Sequence, residues 1–151
     1  GMGLSYAVAA RGACHLRGTF YKAEQSGQIP PGQIEGKAEL MIDYEDRCAL
    51  FDSLILCRFF RDLIQWDELR QIIGATTGLS FTRDKLEILA NSITQQSRAY
   101  NTREGILPDQ DTLPDRFFNE PTREGATITR EELEAMVADY NEIRESRPLR
   151  A

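Results

Sequence analysis

Apolar residues recur three and four positions apart along much of the chain, which is the spacing of an amphipathic α-helix. No stretch alternates convincingly in the way of a half-buried strand. The spacing predicts helices over residues 37 to about 51, 62–78, 82–105 and 129–144. We therefore predict an all-α fold, an irregular multi-helix domain that takes in residues 1–151 as one unit.

Capping signals predict where these helices begin, and their apolar faces predict which side of each helix is buried. Thr82 is a candidate N-cap, and Thr129 with Glu132 forms a capping box. The charged pair Glu45 and Asp46 is assigned to a solvated helix face. The apolar faces of the three later helices consist of Leu63, Trp66, Leu69, Ile72, Ile73, Leu86, Leu89, Ala90, Ile93, Tyr100, Leu133, Met136, Val137, Tyr140 and Ile143.

The stretch 19–36 is predicted to be a loop or linker. Ser26-Gly27, Pro30-Pro31-Gly32 and Gly36 interrupt it too often for a regular element. The segment before it starts with a short helical run that stops at Arg11-Gly12.

The composition is that of a globular protein, with 41% hydrophobic and 28% charged residues among 151. A net charge of −6 argues against a binder of duplex nucleic acid, which would carry a basic surface. No apolar run reaches the roughly 18 residues of a membrane-spanning helix, and the start lacks the layout of a signal peptide. We expect a cytoplasmic protein with neither a nucleic-acid nor a membrane partner.

Three cysteines, Cys14, Cys48 and Cys57, form an odd set without a CxxC pair. This argues against a secreted disulfide framework and against a self-contained zinc or iron–sulfur site. A 4Fe–4S cluster needs four thiolates as a rule. Either Cys57 is structural, or the other ligands of a cluster belong to sequence outside this chain.

The hexapeptide Asp52-Ser-Leu-Ile-Leu-Cys57 puts a carboxylate and a thiol at the ends of an apolar run. Five residues apart on an α-helix, the two side chains point roughly 140° apart. They can share a ligand only if the helix turns or ends between them. The alternative is a helix with a buried structural cysteine and an exposed aspartate.

The hexapeptide resembles the second cofactor motif, Asp-x-x-Gly-Leu-Cys, of the tungsten-containing aldehyde:ferredoxin oxidoreductases. The resemblance implies that Asp52 and Leu56 contact a pterin of a tungsten-bis-pterin cofactor (tungstopterin) and that Cys57 ligates a 4Fe–4S cluster. Ile55 departs from the pattern, because it stands where the motif has glycine. Glycine permits close backbone approach, so this departure bears on the pterin geometry.

Two further blocks resemble the same family. In GLSYA…RGACHLR the resemblance implies that His15 handles protons near the tungsten and that Arg17 meets the cofactor, whose phosphate an arginine can bind as a fork. The block from Arg98 to Arg116 also matches, and we assign its Arg98 and Asn101 to the scaffold.

The resemblance implies the helical C-terminal part of a larger enzyme that oxidises aldehydes to carboxylic acids. Electrons would leave through the cluster to ferredoxin, and the N-terminal domains of the same enzyme would supply the remaining ligands. The 151-residue chain alone is expected to be inactive and to bind no metal stably. Its oligomeric state, including a homo-oligomer, stays open.

Three alternatives remain at this point. A related tungsten enzyme that reduces an aromatic-ring thioester would show the same Asp52 and Cys57. A non-catalytic helical interaction module would place Cys57 in the core and Asp52 at a helix cap. A degenerate relative could have lost the motif, for which Ile55 is the evidence.

Overall fold

The computed structural model describes residues 1–122 and 125–149. Seven α-helices lie in this part of the chain, and it contains no strand, so the predicted all-α fold is confirmed. None of its helices is long and apolar enough to cross a membrane. The helices are α1 (Met2–Val8), α2 (Tyr21–Gln25), α3 (Lys37–Ser53), α4 (Trp66–Thr77), α5 (Arg83–Arg103), α6 (Arg116–Asn119) and α7 (Arg130–Ser146), with two short 3-10 helices at Arg58–Phe60 and Pro108–Gln110.

Helices α5 and α7 begin where their capping signals predict. The Thr82 hydroxyl accepts a hydrogen bond from the N–H of Lys85 at the start of α5. Thr129 and Glu132 form the predicted capping box of α7. Helix α4 ends at Gly78, as expected, but it begins later than predicted because Gln65 and Glu68 form a second capping box there.

Two apolar cores lie along α3. The first joins its N-terminal half to α1, α2 and α7, and the second joins its C-terminal end to α4 and α5. The first core is built from Leu4, Ala7, Val8, Phe20, Ala23, Ile29, Ala38, Met41, Ile42, Leu113, Leu133, Met136 and Tyr140, and the second from Leu50, Phe51, Trp66, Leu69, Ile73, Leu86 and Ala90.

A layer of buried charge lies on α3 between these cores, and we call it the polar seam (Glu45, Asp46, Asn91, Tyr140 and Arg144). Arg144 Nη2 donates to Glu45 Oε2 at 2.8 Å, and its Nη1 donates to Asp46 Oδ1 at 2.5 Å and to Asn91 Oδ1 at 2.9 Å. The assignment of Glu45 and Asp46 to a solvated face is wrong, because both are buried against a cation on α7.

Burial and charge shift the titration of the seam. Burial raises the pKa of Asp46 to about 6, although the Arg144 charge opposes this. Burial, together with the Glu45 carboxylate, also raises the pKa of Tyr140. Burial alone would lower the pKa of Arg144, but the anionic neighbours outweigh it and raise that pKa. Asp46 therefore takes up a proton nearer to neutral pH than an exposed aspartate does.

Three details of the predicted fold are wrong. The stretch 19–36 contains α2 and contributes the buried Phe20, Ala23 and Ile29 to the first core, so it is not a plain linker. Leu63 precedes α4 and is 73% exposed. On α5, Leu89 and Tyr100 are exposed while the polar Asn91 and Thr94 are buried, because α5 turns this polar side towards the seam.

Candidate functional site

Helix α3 ends in a Schellman motif inside the predicted cofactor motif. The N–H of Leu56 donates to the carbonyl of Phe51 at 2.8 Å, and the N–H of Ile55 donates to the carbonyl of Asp52 at 3.2 Å. Ile55 takes the left-handed conformation, with φ of 57°. The helix therefore ends between Asp52 and Cys57, which is the condition under which the two side chains can share a ligand.

The family's glycine would occupy the strained position of this helix end. Ile55 is the only non-glycine residue with positive φ in the part of the chain that the structure describes. The left-handed conformation costs an L-residue about 1–2 kcal/mol. The Ile55 side chain is 92% exposed, so its removal loses little packing. We expect Ile55→Gly to raise the free energy of unfolding by about 1 kcal/mol in urea denaturation, after the extra entropy of unfolded glycine is subtracted.

Ile106 provides the matched control for this prediction. It is also exposed, at 51%, but it does not have positive φ. Ile106→Gly should leave stability unchanged or lower it. If Ile55→Gly destabilised the chain as much as Ile106→Gly does, backbone strain at Ile55 would be disproved.

Asp52 is held between two arginines. Arg58 donates to it as a fork, from Nε to Oδ1 at 2.7 Å and from Nη2 to Oδ2. Arg17 Nη2 forms an ion pair with the same Oδ2 at 3.2 Å. The hydrogen bonds to Asp52 raise the pKa of the Arg58 guanidinium. The structure thus brings together two predicted cofactor residues, Arg17 and Asp52, from separate parts of the chain.

Both arginines also carry a buried nitrogen without a hydrogen-bond partner. Within residues 1–122 and 125–149, these nitrogens are Nε of Arg17 and Nη1 of Arg58. Buried polar groups nearly always have a partner, and leaving one without costs about 1–3 kcal/mol. The two N–H groups are therefore available to an acceptor that the described residues do not supply.

His15 lies exposed on the α1–α2 loop (residues 9–20). Its neighbours are held in place. Arg11 Nη2 donates to Sγ of Cys14 at 2.9 Å, and the carbonyl of Leu16 accepts from Sγ of Cys48 at 3.8 Å. The imidazole is exposed, while the side chain of Cys14 before it and the backbone of Leu16 after it are held by these contacts.

Contacts from the residues after Cys57 hold the two parts of the site together. Arg61 Nε donates to Thr19 Oγ1 at 2.8 Å, and Arg61 Nη1 donates to the carbonyl of Arg58 at 2.9 Å. Lys22 forms an ion pair with Asp62. These contacts join the α1–α2 loop and α2 to the motif segment (residues 52–58), so the two parts keep a defined relative position.

Arg98 and Asn101 hold the other side of the α1–α2 loop. Arg98 donates to the carbonyl of Val8 at 3.2 Å and to Oδ2 of Asp111 at 2.9 Å, and Asn101 donates to the carbonyl of Ala10. Their predicted scaffold role is confirmed by these contacts.

The three cysteines occupy different environments. Cys57 is exposed, whereas Cys14 and Cys48 are buried. Burial raises the pKa of Cys48. Burial would also raise the pKa of Cys14, but hydrogen bonds from Arg11 and from the loop backbone lower it overall. The interaction-module alternative placed Cys57 in the core, and that placement is wrong.

A cleft of about 440 Å³ opens beside Arg17, between the α1–α2 loop and α5. Arg11, Arg17 and Asn101 supply polar groups, and Ile93 and Tyr100 supply apolar surface. Binding sites for small molecules typically combine these two kinds of lining. One predicted cofactor residue therefore lines an open cleft.

The family model described as "Aldehyde ferredoxin oxidoreductase, domains 2 & 3" matches residues 1–147 of the chain. The chain belongs to this family.

Curated relatives agree with that assignment. The tungsten-containing aldehyde ferredoxin oxidoreductases of Pyrococcus furiosus and Thermococcus kodakarensis are 33% and 32% identical to the chain over 130 residues. Each match covers 83% of this chain and 22% of the relative, so the chain spans about a fifth of the length of these relatives. The resemblance carried by the three sequence blocks is thereby confirmed.

The donor groups at the end of α3 suit both a polar cofactor and a metal. Asp52 and the arginines that hold it suit a polar organic cofactor, and an exposed thiol such as that of Cys57 suits iron. The described residues contain no group of three or more His, Cys, Asp or Glu side chains that could hold a metal ion.

Sequence reasoning did not identify Arg58 and Arg61. Helical periodicity carries no information about residues in an irregular segment, and the family motif ends at Cys57. The available signal was the position of Arg58, because an arginine directly after the motif can reach its carboxylate.

Proposed function

We propose that this chain supplies part of the tungstopterin and 4Fe–4S site of an enzyme that oxidises aldehydes to carboxylic acids. The observation that carries the proposal is the pair of arginines that holds Asp52, in the same short motif as the exposed Cys57. Two buried N–H groups of this arrangement lack an acceptor among the described residues, and a pterin or its phosphate would provide one.

Each residue has a distinct role in this proposal. Asp52 accepts hydrogen bonds from the pterin, and Arg17 donates to a phosphate oxygen. Cys57 provides one thiolate to the cluster. Leu56 contacts the pterin through its side chain or carbonyl, because its N–H is already used at the end of α3.

When bound, the tungstopterin would support the conversion of an aldehyde and a water molecule into a carboxylic acid, two protons and two electrons. His15, whose imidazole is exposed, accepts one of these protons. The contact of the Leu16 carbonyl with Cys48 would hold the loop backbone next to His15 in place.

The remaining parts of the site come from outside this sequence. Cys57 is a single thiolate and the other two cysteines are buried, so we propose that the N-terminal domains of the same enzyme supply three further thiolates. Ferredoxin, named in the curated relatives, is the proposed electron acceptor, and we propose a cytoplasmic location.

The test is an analysis of the complete polypeptide that contains this chain, purified without oxygen. We expect about four irons and one tungsten per polypeptide, together with aldehyde-dependent reduction of a viologen dye. Absence of both metals would overturn the proposal. Both metals without aldehyde oxidation would instead favour the enzyme that reduces an aromatic-ring thioester.

A further inference from the structure

Arg58 has no role in the family resemblance, yet its side chain binds both oxygens of the Asp52 carboxylate. Its Nε and Nη2 both bind the Asp52 carboxylate, one to each oxygen. A planar fork of this kind fixes both the position and the rotation of a carboxylate, which a single point charge cannot do. Arg17 contacts only one of the two oxygens.

The backbone of Arg58 is fixed as well. Its carbonyl accepts a hydrogen bond from Arg61, whose side chain is also bonded to Thr19 on the α1–α2 loop. Arg61 is buried, and Arg47 donates to its carbonyl at 3.0 Å. These contacts hold the backbone of Arg58 in place, so its side chain can hold Asp52 in a fixed position.

One donor of Arg58 is left over. Its Nη1 is buried and has no partner among the described residues, although the other two guanidinium nitrogens are satisfied. If the ion pair of Arg58 and Asp52 served only to terminate α3, burying an N–H group without a partner would lower stability and bring no benefit. The leftover donor and the fork onto Asp52 belong to the same planar group, so the rotation of this group is fixed although one of its donors stays without an acceptor.

We propose that Arg58 is a positioning residue for the pterin, which it serves by orienting the Asp52 carboxylate with its fork. The inference rests on the proposed function, since it needs the pterin at Asp52. It adds a residue outside the family's motif. Arg58 also directly follows Cys57 in the sequence.

The experiment compares Arg58→Gln and Arg58→Lys in the complete enzyme. We expect both variants to keep their iron, because Cys57 is unchanged, and to lose tungsten, because partners of ligand-holding groups typically contribute roughly 10–100-fold to affinity. Only Arg58→Gln should shift the midpoint potential of the cluster to a lower value in an EPR titration, because lysine keeps the positive charge.

Two further variants make the result specific. Arg83→Gln removes an arginine from an exposed ion pair with Glu87 on α5 and should change neither metal content nor potential. Asp52→Asn should lose tungsten like Arg58→Gln, and the double variant should be no worse than either single one, because Arg58 acts through Asp52.

The outcomes separate this inference from the proposed function. Wild-type enzyme without iron and tungsten would overturn both. Metal-loaded wild type with unchanged tungsten and potential in both Arg58 variants would overturn the role of Arg58 alone. Loss of iron along with tungsten in Arg58→Lys would show that Arg58 serves the fold and would also reject the positioning role.

Discussion

Replacing Arg144 by methionine is expected to lower the free energy of unfolding by about 3–5 kcal/mol, the usual cost of removing one partner from a buried ion pair. Arg144 is 1% exposed and is the shared partner of Glu45 and Asp46, which are themselves buried. Methionine fills much of the space but leaves both carboxylates without their central cation. Urea denaturation of the chain measures the change.

Arg83→Met is the control, because Arg83 forms an exposed ion pair with Glu87. Exposed pairs contribute at most about 1 kcal/mol. If both variants lost the same small amount of stability, the polar seam could not be a buried charge network. A variant that also replaces Glu45 by glutamine and Asp46 by asparagine should recover part of the loss, since no unpaired carboxylate then remains.

Replacing Cys57 by alanine in the complete enzyme is expected to remove most of the cluster iron and with it electron transfer to the acceptor. A 4Fe–4S cluster is held by four thiolates as a rule, and Cys57 is the exposed cysteine of this chain. Iron analysis and EPR of the reduced enzyme, prepared without oxygen, measure the loss.

Cys48→Ala provides the comparison, because Cys48 is buried and its Sγ contacts the carbonyl of Leu16. This variant should lose some stability and keep its iron. An intact cluster in Cys57→Ala would mean that Cys57 is not an iron ligand and that the central assignment of the site is wrong.

The order and type of the helices could be predicted because their signals are local. Caps at Thr82 and Thr129 and the apolar face of α7 specify where a helix starts and which side it buries. The seam could not be predicted in this way. Arg144 lies 99 residues after Glu45. Helical spacing describes only neighbours a few residues apart, so it does not predict a partner at that sequence distance.

The candidate site was predictable to the extent that a motif marked it. Asp52 and Cys57 were found through the motif, and Arg17 through a second block, but their ion pairing depends on how the α1–α2 loop folds back. The departure at Ile55 was visible in the sequence. Its physical meaning, a left-handed helix end that favours glycine, required the backbone angles.

The polar seam also has a geometric consequence for the cofactor. The α1–α2 loop is attached to the first core, and the motif segment is attached to the second. The position of the loop relative to the motif segment therefore depends on where each core packs along α3. The hydrophobic effect has no preferred direction, whereas hydrogen-bonded ion pairs require one alignment of their partners. The seam therefore fixes the positions of α5 and α7 against α3. A substitution in the seam would shift the proposed cofactor residues relative to one another without replacing any of them.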